Sequence, residues 1–148
     1  MLSRMGIALF ALVGVLISAY MAAYTFGMVG TIACGTGGCA IVQNSPWSVF
    51  LGVPVPVIGL FGYGLLVTTA LLGLQPRFAD DRRIAALLLV GAIGGAAFSA
   101  YLTWLEASVI HAWCRWCVVS AILAGLILFC ALPEAGRMRT QPEPGDSV

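Results

Sequence analysis

The fold of this protein is decided by residues 113–132, which read WCRWCVVSAILAGLILFCAL. Beyond Cys117 the stretch carries no charged side chain, and a helix of this length can cross the hydrocarbon core of a bilayer. Cys114 and Cys117 fall on its first turn, so both sulfurs lie on one helix face, close enough to bond. The helix N-terminus and the charge of Arg115 favour the thiolate form. The stretch therefore predicts a reactive dithiol at a membrane edge.

Composition places the whole chain in a membrane. Of its 148 residues, 61% are hydrophobic and 9% are charged, whereas soluble domains carry about 25% charged residues. The mean hydropathy is +1.02, and no charged residue occurs between Arg4 and Arg77. At about 20 residues for each span, a chain of this length holds at most four spans. The net charge of +1 gives no reason to expect binding to nucleic acid.

Apolar runs divide the chain into four predicted spans, and we expect an all-α membrane protein built as a four-helix bundle. The spans are expected over residues 5 to about 30, 54–74, 84 to about 104, and 113–132, with Pro133 ending the last. The first run is longer than the apolar core of a secretory signal, about 7–15 residues, so an uncleaved span is favoured. The predicted domains are a transmembrane domain over 1–133 and a short cytoplasmic tail over 134–148.

The arginines orient these spans. All seven basic residues are Arg, and six of them fall on one side of the predicted membrane: Arg4, Arg77, Arg82, Arg83, Arg137 and Arg139. The positive-inside rule makes that side cytoplasmic. Both termini are then expected in the cytoplasm, and both cysteine pairs are expected outside it, where disulfides form and persist.

A second cysteine pair lies in the first extracytoplasmic loop. A glycine-rich link joins Cys34 to Cys39 and allows a tight ring to close. A structural disulfide that pins the loop would explain this pair alone, but a second dithiol on the same face favours a mobile relay pair. Ser45 and Pro46 resemble a helix N-cap followed by proline at the first helical position. We predict an interfacial half-helix over residues 47–51, too short to span.

Small residues crowd the middle of the third span, where Gly91, Gly94 and Gly95 occur together. Close approach of neighbouring helices is the preferred interpretation, and room for a flat ligand is the alternative. The next connection, residues 106–113, holds Glu106 and the only histidine, His111. A solvated polar residue is the simplest interpretation of each, and a proton carrier is the alternative for His111.

The four tryptophans and the fifth cysteine have structural interpretations that require no role in the mechanism. All four tryptophans fall on the extracytoplasmic side, as an aromatic belt does, although they would also wall a pocket for an aromatic ligand. Cys130 lies 13 residues beyond Cys117, which is about 20 Å along a helix. It is therefore expected to be a small apolar side chain out of reach of the other cysteines.

Two dithiols on one membrane face predict thiol–disulfide exchange, in which thiolate attack passes two electrons through a mixed disulfide. The flexible pair Cys34/Cys39 suits collision with a soluble partner. The rigid pair Cys114/Cys117 suits delivery into the bilayer, because Cys117 lies one turn deeper than Cys114. A lipid-soluble quinone, menaquinone or ubiquinone, is the expected acceptor, since it takes two electrons and dissolves at that depth.

An ordered set of motifs resembles the vitamin K epoxide reductase family over residues 6 to about 132: Cys34 and Cys39, Ser45, Trp47, Gly52-Val-Pro54, Gly59, Tyr63 and Cys-Arg-Trp-Cys at 114–117. The resemblance implies a four-helix bundle around a quinone site, with Cys114 and Cys117 as the catalytic pair and Cys117 facing the quinone. It implies Cys34 and Cys39 as the shuttle pair. The residues then expected to bind the quinone are Cys117, Ser45, Trp47, Phe50, Tyr63 and Tyr101.

Departures from the family pattern narrow the expected activity. Members that reduce vitamin K epoxide carry an Asn in the second span and a Tyr one turn after the active pair, at positions that look like Val55 and Ala121 here. This favours a bacterial-type enzyme that generates disulfides by reducing a quinone in the inner (cytoplasmic) membrane. The loop cysteines are also closer together than in other members. Many bacterial relatives carry a fused thioredoxin-like domain that this chain lacks, so a separate thioredoxin-fold, DsbA-like partner is expected.

Other interpretations stay open at this stage. A DsbB-type oxidase performs the same chemistry, but its Cys-x-x-Cys comes in the first loop rather than the second. A structural or zinc-binding membrane protein without redox turnover would use the four thiolates as tetrahedral ligands. A small transporter-like bundle would use disulfides only to pin its loops. Metal analysis beside a quinone-reduction assay separates the zinc protein from the enzyme.

Overall fold

The structure is a computed structural model that describes residues 1–35 and 37–140. In chain order its elements are α1 (Leu2–Thr25), α2 (Gly38–Gln43), β1 (Val49–Phe50), β2 (Val53–Pro54), α3 (Val55–Leu74), α4 (Arg82–Leu105) and α5 (Arg115–Thr140). A 3₁₀ turn over Pro46–Ser48 precedes β1, and a π-helical turn over Glu106–Ile110 extends α4. Of the predicted tail over 134–148, residues 141–148 lie outside the described part of the chain.

Within the described residues, four helices are long and apolar enough to cross a membrane: Leu2–Thr25, Val55–Leu74, Arg82–Ile110 and Arg115–Thr140. The shortest has 20 residues and is therefore about 30 Å long, which matches the hydrocarbon thickness of a bilayer. The predicted all-α, four-helix fold is confirmed, and the chain is a multi-pass membrane protein.

The outer surface of the bundle is apolar. Bulky side chains such as Leu16, Phe61, Val90 and Phe129 are 64% to 75% exposed, a distribution that suits a surface facing lipid rather than water. Small residues occupy the interior instead, among them Ala11, Ala70, Ala92 and Ala131, each at most 1% exposed. Because lipid tails are as apolar as the side chains, close packing of small residues holds such helices together.

The four spans form a ring in which α1 packs against α3 and α5, and α4 packs against α5 and α3. A Cβ added to Gly14 would lie 2.5 Å from the Tyr63 ring, and one added to Gly59 would lie 2.8 Å from the Ser18 hydroxyl oxygen. The Gly14 contact between α1 and α3 therefore requires glycine, whereas a Cβ at Gly59 would displace the Ser18 hydroxyl. Small residues therefore allow close packing between the first and second spans.

The loop between α1 and α3 corrects the predicted half-helix. A short helix does occur there, but it is α2 rather than residues 47–51. Ser45 precedes the helical turn and Pro46 is its first residue, as expected, yet the turn ends at Ser48. The Ser45 side chain does not cap this turn, because its hydroxyl donates a hydrogen bond back to the Val42 carbonyl oxygen at 2.7 Å.

A β-hairpin replaces the rest of the predicted half-helix. Val49 pairs with Pro54 and Phe50 with Val53 in an antiparallel register. Leu51 and Gly52 form the tip, with φ of 51° and 82°. Two consecutive left-handed residues are typical of a two-residue hairpin turn. The β-branched Val49 and the glycine at the tip favour this hairpin over a helix.

The last helix also runs further than predicted, because α5 continues through Pro133 to Thr140. A proline inside a helix removes one backbone hydrogen bond. A buried ion pair at the next residue stabilises the extension. Glu134 is 0% exposed, and its two carboxylate oxygens accept hydrogen bonds from Arg4 Nε at 3.1 Å and Arg4 Nη2 at 2.8 Å.

The same arginine joins several elements at the end of the bundle opposite the cysteines. Arg4 is 2% exposed, and its Nη1 donates to the carbonyl oxygens of Gly73 at 2.7 Å and Ala79 at 2.8 Å. These acceptors end α3 and lie in the turn that leads to α4. Arg4 therefore ties together α1, α3, that turn and α5.

Candidate active site

Four cysteines from distant parts of the chain meet in one buried cluster. Cys39 and Cys114 are 0% exposed, and Cys34 and Cys117 pack half-buried against the same cluster. Apolar side chains of α1, α2 and α5 complete it, namely Ile17, Met21, Val42 and Leu123. The structure thus brings together the two pairs that the sequence placed on one face of the membrane.

The loop pair is joined as a disulfide between Cys34 and Cys39, whose Cα atoms lie 6.0 Å apart. Gly38, at the start of α2, brings this disulfide close to the second pair. A Cβ on Gly38 would overlap the carbonyl oxygen of Trp113, so a larger residue would push α2 away from the segment that leads into Cys114. Glycine therefore sets the approach of Cys39 to the helix-end cysteines.

The residue before Cys34 is held from two directions. The backbone N–H of Ala33 donates to the Tyr20 hydroxyl at 2.9 Å, and its carbonyl oxygen accepts from the Trp116 indole N–H at 3.0 Å. The Tyr20 and Trp116 rings meet edge to face with centroids 5.4 Å apart. The first and last spanning helices together therefore position the loop disulfide.

Cys114 and Cys117 flank the start of α5. Since α5 begins at Arg115, Cys114 occupies the N-cap position and Cys117 the third helical position. The Cys114 sulfur accepts the backbone N–H of Cys117 at 3.4 Å, which is the contact that a capping side chain makes. Both residues carry free thiols. The structure therefore holds the loop pair oxidised and the helix-end pair reduced.

The surroundings of Cys114 lower the pKa of its thiol from the ordinary value. The main cause is the hydrogen bond with the Cys117 thiol, and backbone N–H groups of Cys117 and Trp116 add to it. Burial and the negative charge of Glu106 act in the opposite direction on this pKa. For Cys114, the direction of this pKa shift agrees with the preference for thiolate expected from the sequence. The shift arises from the neighbouring thiol and the helix start, because the exposed Arg115 is not among the causes.

A cavity of about 310 Å³ lies inside the bundle, and Cys117 forms part of its wall. All four spanning helices contribute mainly apolar side chains, for example Ile17, Leu66, Phe98 and Ile127. One polar group on the wall is fixed in place, because the Tyr63 hydroxyl lies 2.7 Å from Ser120 Oγ and donates to the Ser120 carbonyl oxygen at 2.9 Å. An apolar cavity of this size with a few ordered polar groups is typical of a site for a small molecule.

Glycines form one side of this cavity. Gly62, Gly94 and Gly95 line it, and a Cβ on any of them would have no neighbouring atom within 4 Å. Gly91 instead serves helix packing, since its Cβ would lie 3.0 Å from a Leu66 methyl group. The preferred packing interpretation therefore holds for Gly91, whereas the structure favours room for a ligand at Gly94 and Gly95.

The residues predicted to bind a quinone differ in their positions. Cys117 and Tyr63 line the main cavity. Trp47 lines an adjoining pocket of about 30 Å³ that also reaches Cys117. Phe50 contacts the cavity-lining Phe98 edge to face, with ring centroids 5.6 Å apart.

The last two predicted residues, Ser45 and Tyr101, lie outside the lining of both cavities. The Ser45 hydroxyl is turned toward the α2 backbone. Tyr101 stacks on Trp104 with ring centroids 6.5 Å apart, and at 39% exposure it faces outward. Geometry therefore gives these two no contact with the cavity.

Glu106 is the functional candidate whose environment the sequence interpretation missed. It is not solvated but 3% exposed, it lines both cavities, and its carboxylate accepts the Cys114 backbone N–H at 3.1 Å. Glu106 is the only charged residue between Arg83 and Arg115. A lone acid in so apolar a stretch is itself a signal for a functional position.

The other two residues left open in the sequence are peripheral. His111 is exposed and adopts a left-handed conformation with φ of 53°. Cys130 packs near Gly6 in the separate apolar core at the other end of the bundle. Its expected separation from the other cysteines is confirmed.

The sequence pattern of the vitamin K epoxide reductase family matches residues 5–132, which include all four cysteines of the cluster. The chain belongs to the vitamin K epoxide reductase family. It is also similar to the thiol-disulfide oxidoreductase LTO1 of Arabidopsis thaliana, with 30% identity over 115 residues. The match covers 75% of this chain and 31% of LTO1, so the chain spans about a third of that relative's length.

In this member of the vitamin K epoxide reductase family, a disulfide and a dithiol meet in one cluster, which is the combination that thiol–disulfide exchange requires. The zinc alternative receives no support from the geometry. Two of the four sulfurs are bonded to each other, and among residues 1–35 and 37–140 no group of three or more His, Cys, Asp or Glu side chains is arranged to hold a metal.

Proposed function

We propose that this protein reoxidises a separate extracytoplasmic thioredoxin-fold, DsbA-like protein and transfers the two electrons to a membrane quinone. The observation that carries the proposal is the position of Cys117. It belongs both to the buried cysteine cluster and to the wall of the apolar cavity. This position supports a path in which electrons enter at the loop disulfide, pass through the cysteine cluster and leave at Cys117 into the cavity.

The cavity residues fit a quinone ring. The volume of about 310 Å³ is at the lower end of the range for ligand sites, about 300–1,000 Å³. Apolar side chains and the open glycine wall accommodate a flat ring, and the Tyr63 hydroxyl with its Ser120 partner supplies polar atoms for a carbonyl oxygen. A bound menaquinone or ubiquinone would supply a two-electron acceptor. The side chains proposed to hold it are Cys117, Tyr63 and Phe98, with Trp47 at the adjoining pocket.

The first exchange takes place at the loop disulfide. Cys34 is the more accessible of its two sulfurs, because Cys39 is fully buried. A partner thiolate attacks Cys34, forms a mixed disulfide and releases Cys39 as a thiolate. The second partner thiol then displaces Cys34. The partner leaves with a disulfide, and Cys34 and Cys39 hold its two electrons as thiols.

The second exchange transfers these electrons inward. Cys39 faces the buried cluster that contains Cys114, so the Cys39 thiolate attacks the oxidised Cys114–Cys117 pair at Cys114, and Cys34 resolves the mixed disulfide. The product is the arrangement that the structure shows, with Cys34 bonded to Cys39 and with free Cys114 and Cys117. The low pKa of Cys114 suits its part in this exchange, since a thiolate both attacks and leaves readily.

The proposed setting is the bacterial inner membrane, with both termini in the cytoplasm and the cysteine cluster outside it. The arginine distribution supports this orientation, because Arg77, Arg82, Arg83, Arg137 and Arg139 lie at the end of the bundle away from the cysteines. Disulfide exchange with secreted proteins requires that orientation.

The proposal is tested with purified protein in lipid vesicles. A reduced DsbA-like protein is added, and the loss of quinone absorbance is followed alongside the formation of the partner disulfide. We expect one quinone reduced for each disulfide formed. Partner oxidation without quinone loss, or no partner oxidation at all, would contradict the proposed electron path.

A substitution in the glycine wall tests whether the cavity is the quinone site. We expect Gly94→Leu to raise the quinone KM by about tenfold or more. A steric clash that costs about 1.4 kcal/mol of binding free energy already lowers affinity tenfold. Stability should change little, since no atom lies within 4 Å of the added Cβ. The measurement is the quinone KM together with Tm. Gly125→Leu is the matched control, at a position that is equally open but outside the cavity, and equal KM values for the two variants would contradict the assignment.

A further inference from the structure

We propose that Glu106 is a catalytic proton carrier, which takes the proton from the Cys117 thiol and delivers it toward the cavity. This inference deepens the proposed function and rests on it. It starts from one unusual position: a carboxylate that is 3% exposed, in the wall of an apolar cavity, beside two free thiols.

Geometry places the Glu106 carboxylate beside Cys114 and in the same cavity wall as Cys117. It accepts the Cys114 backbone N–H at 3.1 Å. It also lines the main cavity and the pocket that adjoins it, and Cys117 lines the same two cavities. One oxygen is therefore held by the backbone, which leaves the carboxylate able to exchange a proton with Cys117.

Other titratable groups around the cavity are less suited to this role. Tyr63 lies on α3, and its hydroxyl is engaged by Ser120. His111 is exposed and lines neither cavity. Around the start of α5, Cys114 donates its backbone N–H to Glu106, and Cys117 lines the same two cavities as Glu106. Among the described residues that line the main cavity, Glu106 is the only carboxylate.

A proton carrier is needed because the reaction moves protons as well as electrons. When the reduced pair is reoxidised, two S–H bonds break, one S–S bond forms, and two electrons and two protons reduce a quinone to a quinol. Glu106 accepts the proton of Cys117 and passes it to the cavity side. The second proton comes from the Cys114 thiol, or from water where Cys114 is already a thiolate. No water-filled route to Cys117 is then required for the first proton.

The substitution that isolates this role is Glu106→Gln. The amide oxygen can still accept the Cys114 N–H, so the position of Cys114 is preserved while the proton acceptor is removed. We expect quinone-dependent turnover with a small dithiol to fall by about 10²-fold, as when general acid–base catalysis is lost. A second readout needs no quinone. The pH midpoint for deprotonation of Cys114, followed by thiolate ultraviolet absorbance on protein in which Cys34, Cys39 and Cys130 are replaced by Ala, should shift downward, because a neighbouring negative charge has been removed. This readout needs no reagent to reach the buried sulfur.

A purely positional role predicts the opposite, since Glu106→Gln would retain turnover within about threefold of the starting protein. That result overturns the inference, as does a loss of turnover with an unchanged or upward midpoint for Cys114 deprotonation. Asp80→Asn, the same change of acid to amide at an exposed residue, is the control and should match the unmodified protein in both readouts.

Glu106→Asp and Glu106→Asn form a second pair if the glutamine variant does not fold. Both substitutions shorten the side chain by the same methylene group. They differ only in the end group, which is a carboxylate in Asp and an amide in Asn. We expect the Asp variant to turn over at least about tenfold faster than the Asn variant, and equal rates overturn the inference. The unmodified protein is measured in the same assay. If it reduces no quinone, the proposed function itself fails, whereas an active protein with an active Glu106→Gln variant overturns only the role of Glu106.

Discussion

Cys117→Ala is expected to abolish quinone reduction by every thiol donor, whereas Cys39→Ala should abolish it with the protein partner and retain it with a small dithiol. Cys117 is the one cysteine of the cluster that lines the cavity. Without it no sulfur reaches the acceptor, and we expect turnover to fall by about 10³-fold or more, as for the loss of a nucleophile.

Cys39 lies earlier in the path, and its position explains the different expectation. It is fully buried in the cluster that also buries Cys114. Truncation to alanine removes the sulfur that is proposed to attack Cys114, and we expect a small dithiol to reduce the Cys114–Cys117 pair directly. The measurement is quinone absorbance with the two donors compared side by side. Cys130→Ala, at the other end of α5, is the control for the loss of a thiol. If both variants lose the small-dithiol reaction equally, the two-stage relay is wrong.

Glu134→Gln is expected to lower the free energy of unfolding by about 3–5 kcal/mol, because it leaves the buried guanidinium of Arg4 without its counter-ion. Arg4 is 2% and Glu134 0% exposed, so water cannot replace the lost partner. The measurement is unfolding in mixed micelles followed by circular dichroism. Arg139→Gln is the matched control, since it alters the charge of the same helix at an exposed position.

A double variant distinguishes the contribution of the ion pair to stability from that of the other hydrogen bonds of Arg4. Arg4→Met combined with Glu134→Met removes both charges and should recover most of the lost stability, because well-packed apolar residues often replace buried pairs without loss. Some deficit should remain, since the carbonyl oxygens of Gly73 and Ala79 lose their donor. If Glu134→Gln proves no more destabilising than Arg139→Gln, the ion pair contributes little to the fold.

Hydropathy and arginine positions predicted the spans well, because a bilayer tolerates few structures besides continuous apolar helices. The helix boundaries were less predictable. Pro133 is a helix terminator on local grounds, but the buried partnership of Glu134 with Arg4, 130 residues away in sequence, continues α5 past it. Local patterns similarly did not show that Val49 and Leu51 enter a hairpin instead of a helix.

Sequence spacing predicted the two cysteine pairs but not their surroundings. A Cys-x-x-Cys at a helix start is recognisable from residue order alone. The burial of Glu106 depends instead on the π-helical turn that continues α4 and directs the carboxylate toward Cys114. The difference between Gly91, which packs, and Gly94, which opens the cavity, depends on where Leu66 of the facing helix lies. Such distinctions come from tertiary contacts and have no counterpart in the order of residues.

The open glycines also bear on how the proposed quinone enters and leaves the cavity. Gly62, Gly94 and Gly95 both line the cavity and are exposed on the outside of the bundle, so no side chain covers the cavity wall at these positions of α3 and α4. The proposed quinone, with a ring head and a long isoprenoid tail, would enter at this wall while its tail stays among the acyl chains. Its arrival and departure then require no passage through water, and they depend on lateral diffusion within the membrane plane.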